Sequence, residues 1–435
     1  MFYYVSIVLT TLTEWNPWWK TGNVDTELLG MPRKNYDFEN YLEFREVKIL
    51  LGIRRCGKST LLYQFIDFLL RNNIEPGEIL LINFEDDVLS KKTLREIFDV
   101  YQSNINPDKK PYVFLDKVHR CKEWVLFLRK MYDTKQVNHV FVTDSCSKFI
   151  KPEFASAITG RNITIHVFPL SFKEFLNWKK LSFDLDLLTR TEVNKIRKEL
   201  KDYLKWGGFP EVFSKTLEIN KKMLLTEYIS DIIHKDLVER YNINYSKIKD
   251  LIDFLCANAS NMFSPRKYSK SSGLSLESIN TYMKYLQEVF LFRAIPKFDY
   301  SVRKQQMSHK KIYIADTGFM NLVGFRFSEN IGNVYENAVL IELDRLGKEV
   351  YYWKDKYECD FLVKEGAKIT QAFQVSFELE NKEREVNGLL EALNAFKLKE
   401  GLVLTEDFED VEKISKKTII YKPLWKWLLS NKKSA

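Results

Sequence analysis

The octapeptide Gly52-Ile53-Arg54-Arg55-Cys56-Gly57-Lys58-Ser59 satisfies every fixed position of G-x-x-x-x-G-K-[ST]. In such a loop the glycines let backbone N–H groups curl around phosphate oxygens. The lysine neutralises the β/γ oxygens, the hydroxyl ligates Mg²⁺, and the following helix points its positive end at the anion. This arrangement requires a strand before the loop and an amphipathic helix after it, and both are legible. Lys48-Ile49-Leu50-Leu51 reads as a short apolar strand, and Leu61, Leu62, Phe65, Phe68 and Leu69 recur at helical spacing. ATP with Mg²⁺ is therefore the expected ligand, held by Gly52, Arg54, Arg55, Cys56, Gly57, Lys58, Ser59 and Thr60.

The surrounding pattern extends this reading. Continuous apolar runs at Ile79–Phe84, Tyr112–Asp116, His139–Thr143 and Ile163–Phe168 alternate with helical stretches. Uninterrupted runs of that kind indicate parallel strands buried on both faces. Asp116 ends the third strand, where a carboxylate supports Mg²⁺ through water. Many ATPases carry the water-activating glutamate next in sequence; this chain has Lys117, and a cation cannot act as that base. Glu85, Asp86 and Asp87 after the second strand are either substitutes or solvated loop acids. Thr143 or Ser145 either senses the γ-phosphate or caps a helix. Arg161, just before the fifth strand, is a candidate arginine finger acting in cis or, within a homo-oligomer, in trans.

A chain of 435 residues exceeds one core, so several domains are expected. The cysteines Cys56, Cys121, Cys146, Cys256 and Cys359 are scattered and odd in number, which argues against a disulfide framework or a zinc ribbon. Cys56 reads as a small loop filler, with oxidation as the alternative. The N-terminal apolar stretch lacks a basic leader and falls short of the roughly 20 residues that cross a bilayer. The expected setting is soluble and cytoplasmic, with no membrane contact.

Further stretches resemble a family of archaeal-type P-loop ATPases of the AAA+/STAND-like group that end in a PD-(D/E)xK nuclease-like domain. They are Asn16-Pro17-Trp18-Trp19, the P-loop through Thr60, Leu115-Asp116, Ser145-x-Ser147-Lys148, Thr159-Gly160-Arg161 and Phe168-Pro169-Leu170-Ser171-Phe172-x-Glu174-Phe175. Later come Trp206-Gly207-Gly208-Phe209-Pro210-Glu211, Asp231 to Asp236 with Val238-Glu239-Arg240, Asp316-Thr317-Gly318, Glu336-Asn337 and Gln374-Val375-Ser376. The resemblance implies an α/β chain: a P-loop NTPase parallel sheet, a helical lid, a winged-helix-like segment and a C-terminal restriction-endonuclease-like domain. The expected divisions are 1–46 (lead-in packing on the ATPase core), 47–175 (core), 176–244 (lid), 245–325 (winged helix) and 326–435 (degenerate nuclease-like domain). Two departures touch hydrolysis more than binding: the family's usual Asp-Glu is Asp116-Lys117, and its usual glycine in the sensor stretch is Asp144. A slow or inactive ATPase that still switches on nucleotide is implied.

Lys and Arg exceed Asp and Glu by eight in the whole chain. Most of that excess lies in residues 262–311, which hold Arg266, Lys267, Lys270, Lys284, Arg293, Lys297, Arg303, Lys304, Lys310 and Lys311 against Glu277, Glu288 and Asp299. A helix near Pro265–Lys270, a turn at Ser271–Gly273 and a second helix capped by Ser275 suit a winged helix, with Ser278, Thr281 and Lys284 as candidates to face double-stranded DNA. The alternative is a solvated face of an ATPase lid. In the C-terminal domain Glu336 and Asp360 either form a weak metal site or only satisfy buried polar groups, since Gln374 and Ser376 stand where an acid and a lysine should. Glu358 and Glu378 are neighbouring acids off the required positions. A nuclease-like fold without nuclease activity is expected; its alternative is an active metal-dependent nuclease.

Overall fold

In a computed structural model, residues 2–121, 123–147, 160–323, 331–377 and 382–430 are described. Lys148, Thr159 and Glu378 lie outside them. The chain divides into two compact units, Met1–Phe168 and Pro169–Ala435.

In the first unit, helix α1 (Phe2–Trp15) precedes an alternation of β1 (Val47–Leu51), α2 (Lys58–Arg71), β2 (Ile79–Asn83), α3 (Leu94–Asn104), β3 (Tyr112–Asp116), α4 (Trp124–Asp133), β4 (His139–Asp144) and β5 (Asn162–His166). The strands form one parallel sheet in the order β2-β3-β4-β1-β5. Every residue of β1 and β2 is buried, as helices on both faces require. One of them is Lys48. Its ammonium lies 2.8 Å from His139 Nδ1 and donates to the Phe44 carbonyl. Burial pulls the Lys48 amine down to about 8 and the His139 imidazole down to about 4, the latter helped by Lys48.

Strand β2 is an edge strand, and an open edge invites pairing with other chains. The lead-in closes it. Asn16 Nδ2 donates to the Leu81 carbonyl (2.9 Å), and Asn16 Oδ1 accepts from Leu81 N (2.6 Å). The Trp18 and Trp19 indoles both donate to the Ile79 carbonyl, at 3.2 and 2.8 Å. The Asn-Pro-Trp-Trp stretch is thus a side-chain substitute for a sixth strand.

The second unit opens with α5 (Phe172–Trp178), α6 (Arg190–Trp206) and α7 (Glu218–Asp231). There follow α8 (Tyr245–Ala257), β6 (Met262–Phe263), α9 (Pro265–Ser272), α10 (Leu276–Glu288), β7 (Phe292–Pro296), α11 (Val302–Met307) and β8 (Lys310–Ile314), with an antiparallel sheet ordered β6-β8-β7. Ser275 caps α10 by accepting from Ser278 N, and Ile279, Tyr282, Met283 and Leu286 form its buried face. After α12 (Thr317–Val323) and α13 (Ile331–Arg345) comes a six-stranded mixed sheet. Its strands are β9 (Glu349–Lys354), β10 (Glu358–Glu365), β11 (Lys368–Val375), β12 (Glu400–Thr405), β13 (Asp410–Ile414) and β14 (Lys417–Pro423), in the order β13-β14-β12-β11-β10-β9. Helix α14 (Lys382–Ala395) packs Val386, Leu389 and Leu393 on Leu362, Val403 and Ile419.

Two glycine-rich stretches meet inside this unit. Asp316 accepts from Gly208 N (2.7 Å) and Gly318 N (2.9 Å). A Cβ on Gly207 would lie 1.5 Å from Asp316 Oδ1, and Gly207 has φ 79° and ψ −158°, a conformation open only to glycine. Burial pushes the Asp316 carboxyl up to about 7 against the two N–H donors.

Candidate functional site

Parallel strands all end on one edge, and the loops there carry the ligand chemistry. β1 runs directly into Gly52. A Cβ on Gly52 would sit 2.0 Å from the Val167 carbonyl, so the loop approaches the chain after β5 as only glycine can. Gly57 turns the chain into α2 with φ 98°. Arg55 is also left-handed, with φ 69°, and is exposed. Lys58 Nζ donates to the Gly52 and Ile53 carbonyls, each at 2.8 Å. Cys56 is buried, its thiol 3.1 Å from the Val167 carbonyl, in keeping with a small loop filler. Arg33 braces the loop by donating to the Cys56 carbonyl (3.2 Å) and the Phe168 carbonyl (3.0 Å). No pattern around Arg33 pointed to this role.

Ser59 and Asp116 meet: Ser59 Oγ donates to Asp116 Oδ2 at 2.8 Å. These are hard oxygen donors at the mouth of the loop, a set that fits Mg²⁺. Thr143 Oγ1 donates to the other Asp116 oxygen and accepts from Lys117 N (3.1 Å), so the ends of β3 and β4 are wired together. Asp144 is fully buried and pairs with His119 Nδ1 at 2.6 Å. Thr60 lies half-buried in the first turn of α2.

The acids after β2 part company. Glu85 Oε1 lies 3.3 Å from Arg54 Nη1 and 4.0 Å from Lys117 Nζ. Burial raises the Glu85 carboxyl, but Lys117 and Arg54 outweigh it and hold the group below its ordinary range. Asp86 accepts from Trp15 Nε1, Val88 N and Leu89 N, and Asp87 is exposed near Lys91.

Arg161 requires a correction. It precedes β5, and the register Val47↔Asn162 puts it beside the start of β1, at the end of the sheet opposite the phosphate loop. Its Nε pairs with Asp133 Oδ1 at 2.9 Å. The five-residue strand length, roughly 16 Å, separates it from the loop. A finger acting in cis is thereby ruled out.

The C-terminal acids engage buried polar groups. Glu336 on α13 and Asp360 on β10 do converge, but on a cation from the chain itself. Lys311 Nζ, from β8, lies 3.0 Å from Glu336 Oε1, 2.7 Å from Glu358 Oε1 and 3.0 Å from Asp360 Oδ1. Tyr313 donates to Glu336 at 2.5 Å, and Val375 N donates to Asp360 Oδ2 at 2.9 Å. Burial and Asp360 push the Glu336 carboxyl up to about 7. The group lines a cleft of about 540 Å³ with Gln374, Arg384 and Glu385. Lys311 thus lies between Glu336 and Asp360, which here satisfy a buried ammonium. Among the described residues no group of three or more His, Cys, Asp or Glu is arranged to hold a metal ion.

The basic segment divides into exposed and engaged cations. Arg266, Lys267, Lys270, Lys284, Arg303, Lys304 and Lys310 are exposed. Lys311 is buried among acids, Lys297 lies half-buried over the Trp353 ring, and Arg293 faces Asp344. On α10 the exposed line is Glu277, Asn280 and Lys284, whereas Ser278 and Thr281 are half-buried.

A phosphate loop at the carboxyl edge of a five-stranded parallel sheet, with its serine on the acid that ends β3, defines a P-loop NTPase fold. In agreement, residues 44–176 match a family model described as an AAA domain, a class that uses nucleotide and usually Mg²⁺. Residues 197–329 and 331–427 match two domains of unknown function, DUF8612 and DUF4143. The chain belongs to the family of the uncharacterized protein MJ1544 of Methanocaldococcus jannaschii, to which it is 32% identical over 415 residues, 91% of each chain. An uncharacterized protein of Haemophilus influenzae is 28% identical over 90% of this chain and 98% of its own length. Among solved structures, the S. cerevisiae Hsp104-ADP complex aligns with 59% of this chain and 38% of that one, at 13% identity and a TM-score of 0.30; so distant a match carries no argument. Among the described residues no helix is long and apolar enough to cross a membrane.

Proposed function

We propose that this protein binds ATP with Mg²⁺ at the P-loop and hydrolyses it slowly, using nucleotide state to set its conformation. The observation that carries the reading is the Ser59–Asp116 contact of 2.8 Å beside Lys58. Ser59 and Asp116 would hold the ion, directly and through water. Lys58 would exchange its loop carbonyls for phosphate oxygens, and the N–H groups opening α2 would face the anion. Bound Mg²⁺ would offset the charge that builds on the phosphates. A ligand shifts a conformational equilibrium only by binding the two states differently, and the Thr143–Asp116–Ser59 chain is a route by which it would do so. The test is Mg²⁺-dependent ATP binding and turnover, with Lys58→Ala as the blank. Equal ATP affinity in both proteins would refute the reading.

A second function is favoured by the exposed cations of residues 262–310: contact with double-stranded DNA. In its support, α8 to β8 runs helix, strand, helix, helix, strand, strand once the short α11 between the last two strands is set aside, an order that suits a winged helix. For the C-terminal sheet we favour a nuclease-like fold without cleavage activity, because Lys311 neutralises the acids a metal would need. Absence of DNA cleavage with Mg²⁺ or Mn²⁺ is expected; cleavage abolished by Asp360→Ala would overturn this. Any role of Arg161 at a nucleotide would be in trans, within a homo-oligomer, and a cytoplasmic setting suits the whole.

A further inference from the structure

Position 117 lacks the acid that orients the attacking water, so hydrolysis needs an acid from elsewhere on the same edge. Among the described residues, five carboxylates lie at the ends of β2, β3 and β4: Glu85, Asp86, Asp87, Asp116 and Asp144. Asp116 is engaged by Ser59 and Thr143, and Asp144 by His119 and the Cys146 N–H. Asp86 is used up by the Trp15 indole and two backbone N–H groups. Asp87 is 87% exposed at its side chain and points to Lys91. Glu85 differs from all four. It touches the phosphate loop itself through Arg54, and it touches Lys117, the residue standing where the acid should be. Both contacts fall on Oε1, and the side chain is 38% exposed.

We infer that Glu85 supplies the water-orienting carboxylate that position 117 lacks, with Lys117 and Arg54 holding it at the edge of the phosphate loop. The inference rests on the hydrolysis reading above. The acid sits after β2 and the cation after β3, and the register Asn83↔Asp116 makes these ends neighbours. The paired cations keep the carboxylate ionised, so it acts as a hydrogen-bond acceptor for water more than as a strong base. The water oxygen forms the new bond to the γ-phosphorus as the bond from that phosphorus to the ADP oxygen breaks. The water's protons end on inorganic phosphate and solvent.

The test uses the full chain and three variants: Glu85→Gln, Glu85→Asp and the exchange Glu85→Lys with Lys117→Glu. Turnover is measured beside the affinity for a fluorescent ATP analogue and the chemical identity of nucleotide that stays bound through gel filtration. Glu85→Gln is expected to lose turnover roughly a hundredfold, with analogue affinity within about threefold of the parent and uncleaved ATP retained. The Asp variant should fall between. The exchange variant returns the acid to position 117, and its turnover should recover to within about tenfold of the parent. Parent-like turnover in Glu85→Gln would overturn the inference and leave the hydrolysis reading standing. Loss of analogue affinity in Glu85→Gln, unrepaired by the exchange, would make Glu85 a brace for Arg54 and would also overturn it. A parent chain with no turnover above Lys58→Ala would remove both.

Discussion

Replacing Lys311 by methionine would test whether the C-terminal cleft is held by an internal cation. The substitution keeps most of the aliphatic stem and deletes the ammonium. It leaves Glu336, Glu358 and Asp360, now held within 3.0 Å of Lys311 Nζ, facing one another without a counter-charge. Breaking a buried ion pair from one side costs about 3–5 kcal/mol, because the remaining charge is neither solvated nor paired. The cost should fall at low pH. Burial and Asp360 already push Glu336 up to about 7 from an ordinary 4.5, so its folded state binds a proton more tightly than its unfolded state. The sign is therefore that this group's contribution to stability declines as pH rises from about 4.5 to about 7. Without Lys311 the same carboxyl is pushed further up, and the decline extends to higher pH. Urea unfolding followed by tryptophan fluorescence should show a deficit of about 3–5 kcal/mol at pH 8 that shrinks markedly at pH 5. Adding Glu336→Gln to Lys311→Met should recover part of it. A deficit below about 1 kcal/mol, or one equal at both pH values, would refute the reasoning.

Other outcomes follow from the same contacts. Asn16→Ala strips Leu81 of a donor and an acceptor and should cost about 2–4 kcal/mol, with concentration-dependent association through the opened β2 edge in light scattering. Gly207→Ala should destabilise by roughly 3 kcal/mol or more, since the new methyl meets the Asp316 carboxylate and the backbone conformation belongs to glycine; unchanged thermal unfolding would sink this account. For the DNA reading, Arg266→Ala with Lys267→Ala should weaken binding across sequences and lower the slope of log K against log salt by about 2, one for each phosphate contact. Lys311→Met should leave that slope alone, because Lys311 is buried.

How much the sequence disclosed depends on how local each signal was. The P-loop was fully legible, because its chemistry is packed into eight consecutive residues and its flanks carry simple apolar periods. Asp116 was legible as the residue ending a buried run. The α9–turn–α10 segment was legible through its turn residues and the Ser275 cap. Strand Lys48 read as part of an apolar run, yet it is a buried cation with a histidine partner 91 residues away. Strands β12, β13 and β14 carried no motif and were read only as part of the C-terminal domain.

From the sequence alone come the phosphate loop, the alternation that makes a parallel sheet, and the substitution of Lys117 for an acid. Each follows from residue type and spacing within a few neighbours. The tertiary structure decided the rest. It moved Arg161 to the far end of the sheet, because parallel pairing with β1 fixes which end of β5 faces the nucleotide. It brought Lys311 into the carboxylates of Glu336, Glu358 and Asp360, and Glu85 onto Arg54 and Lys117. Charges distant along the chain meet only when strand order and register are set, and a desolvated ion must find its partner wherever the fold provides one.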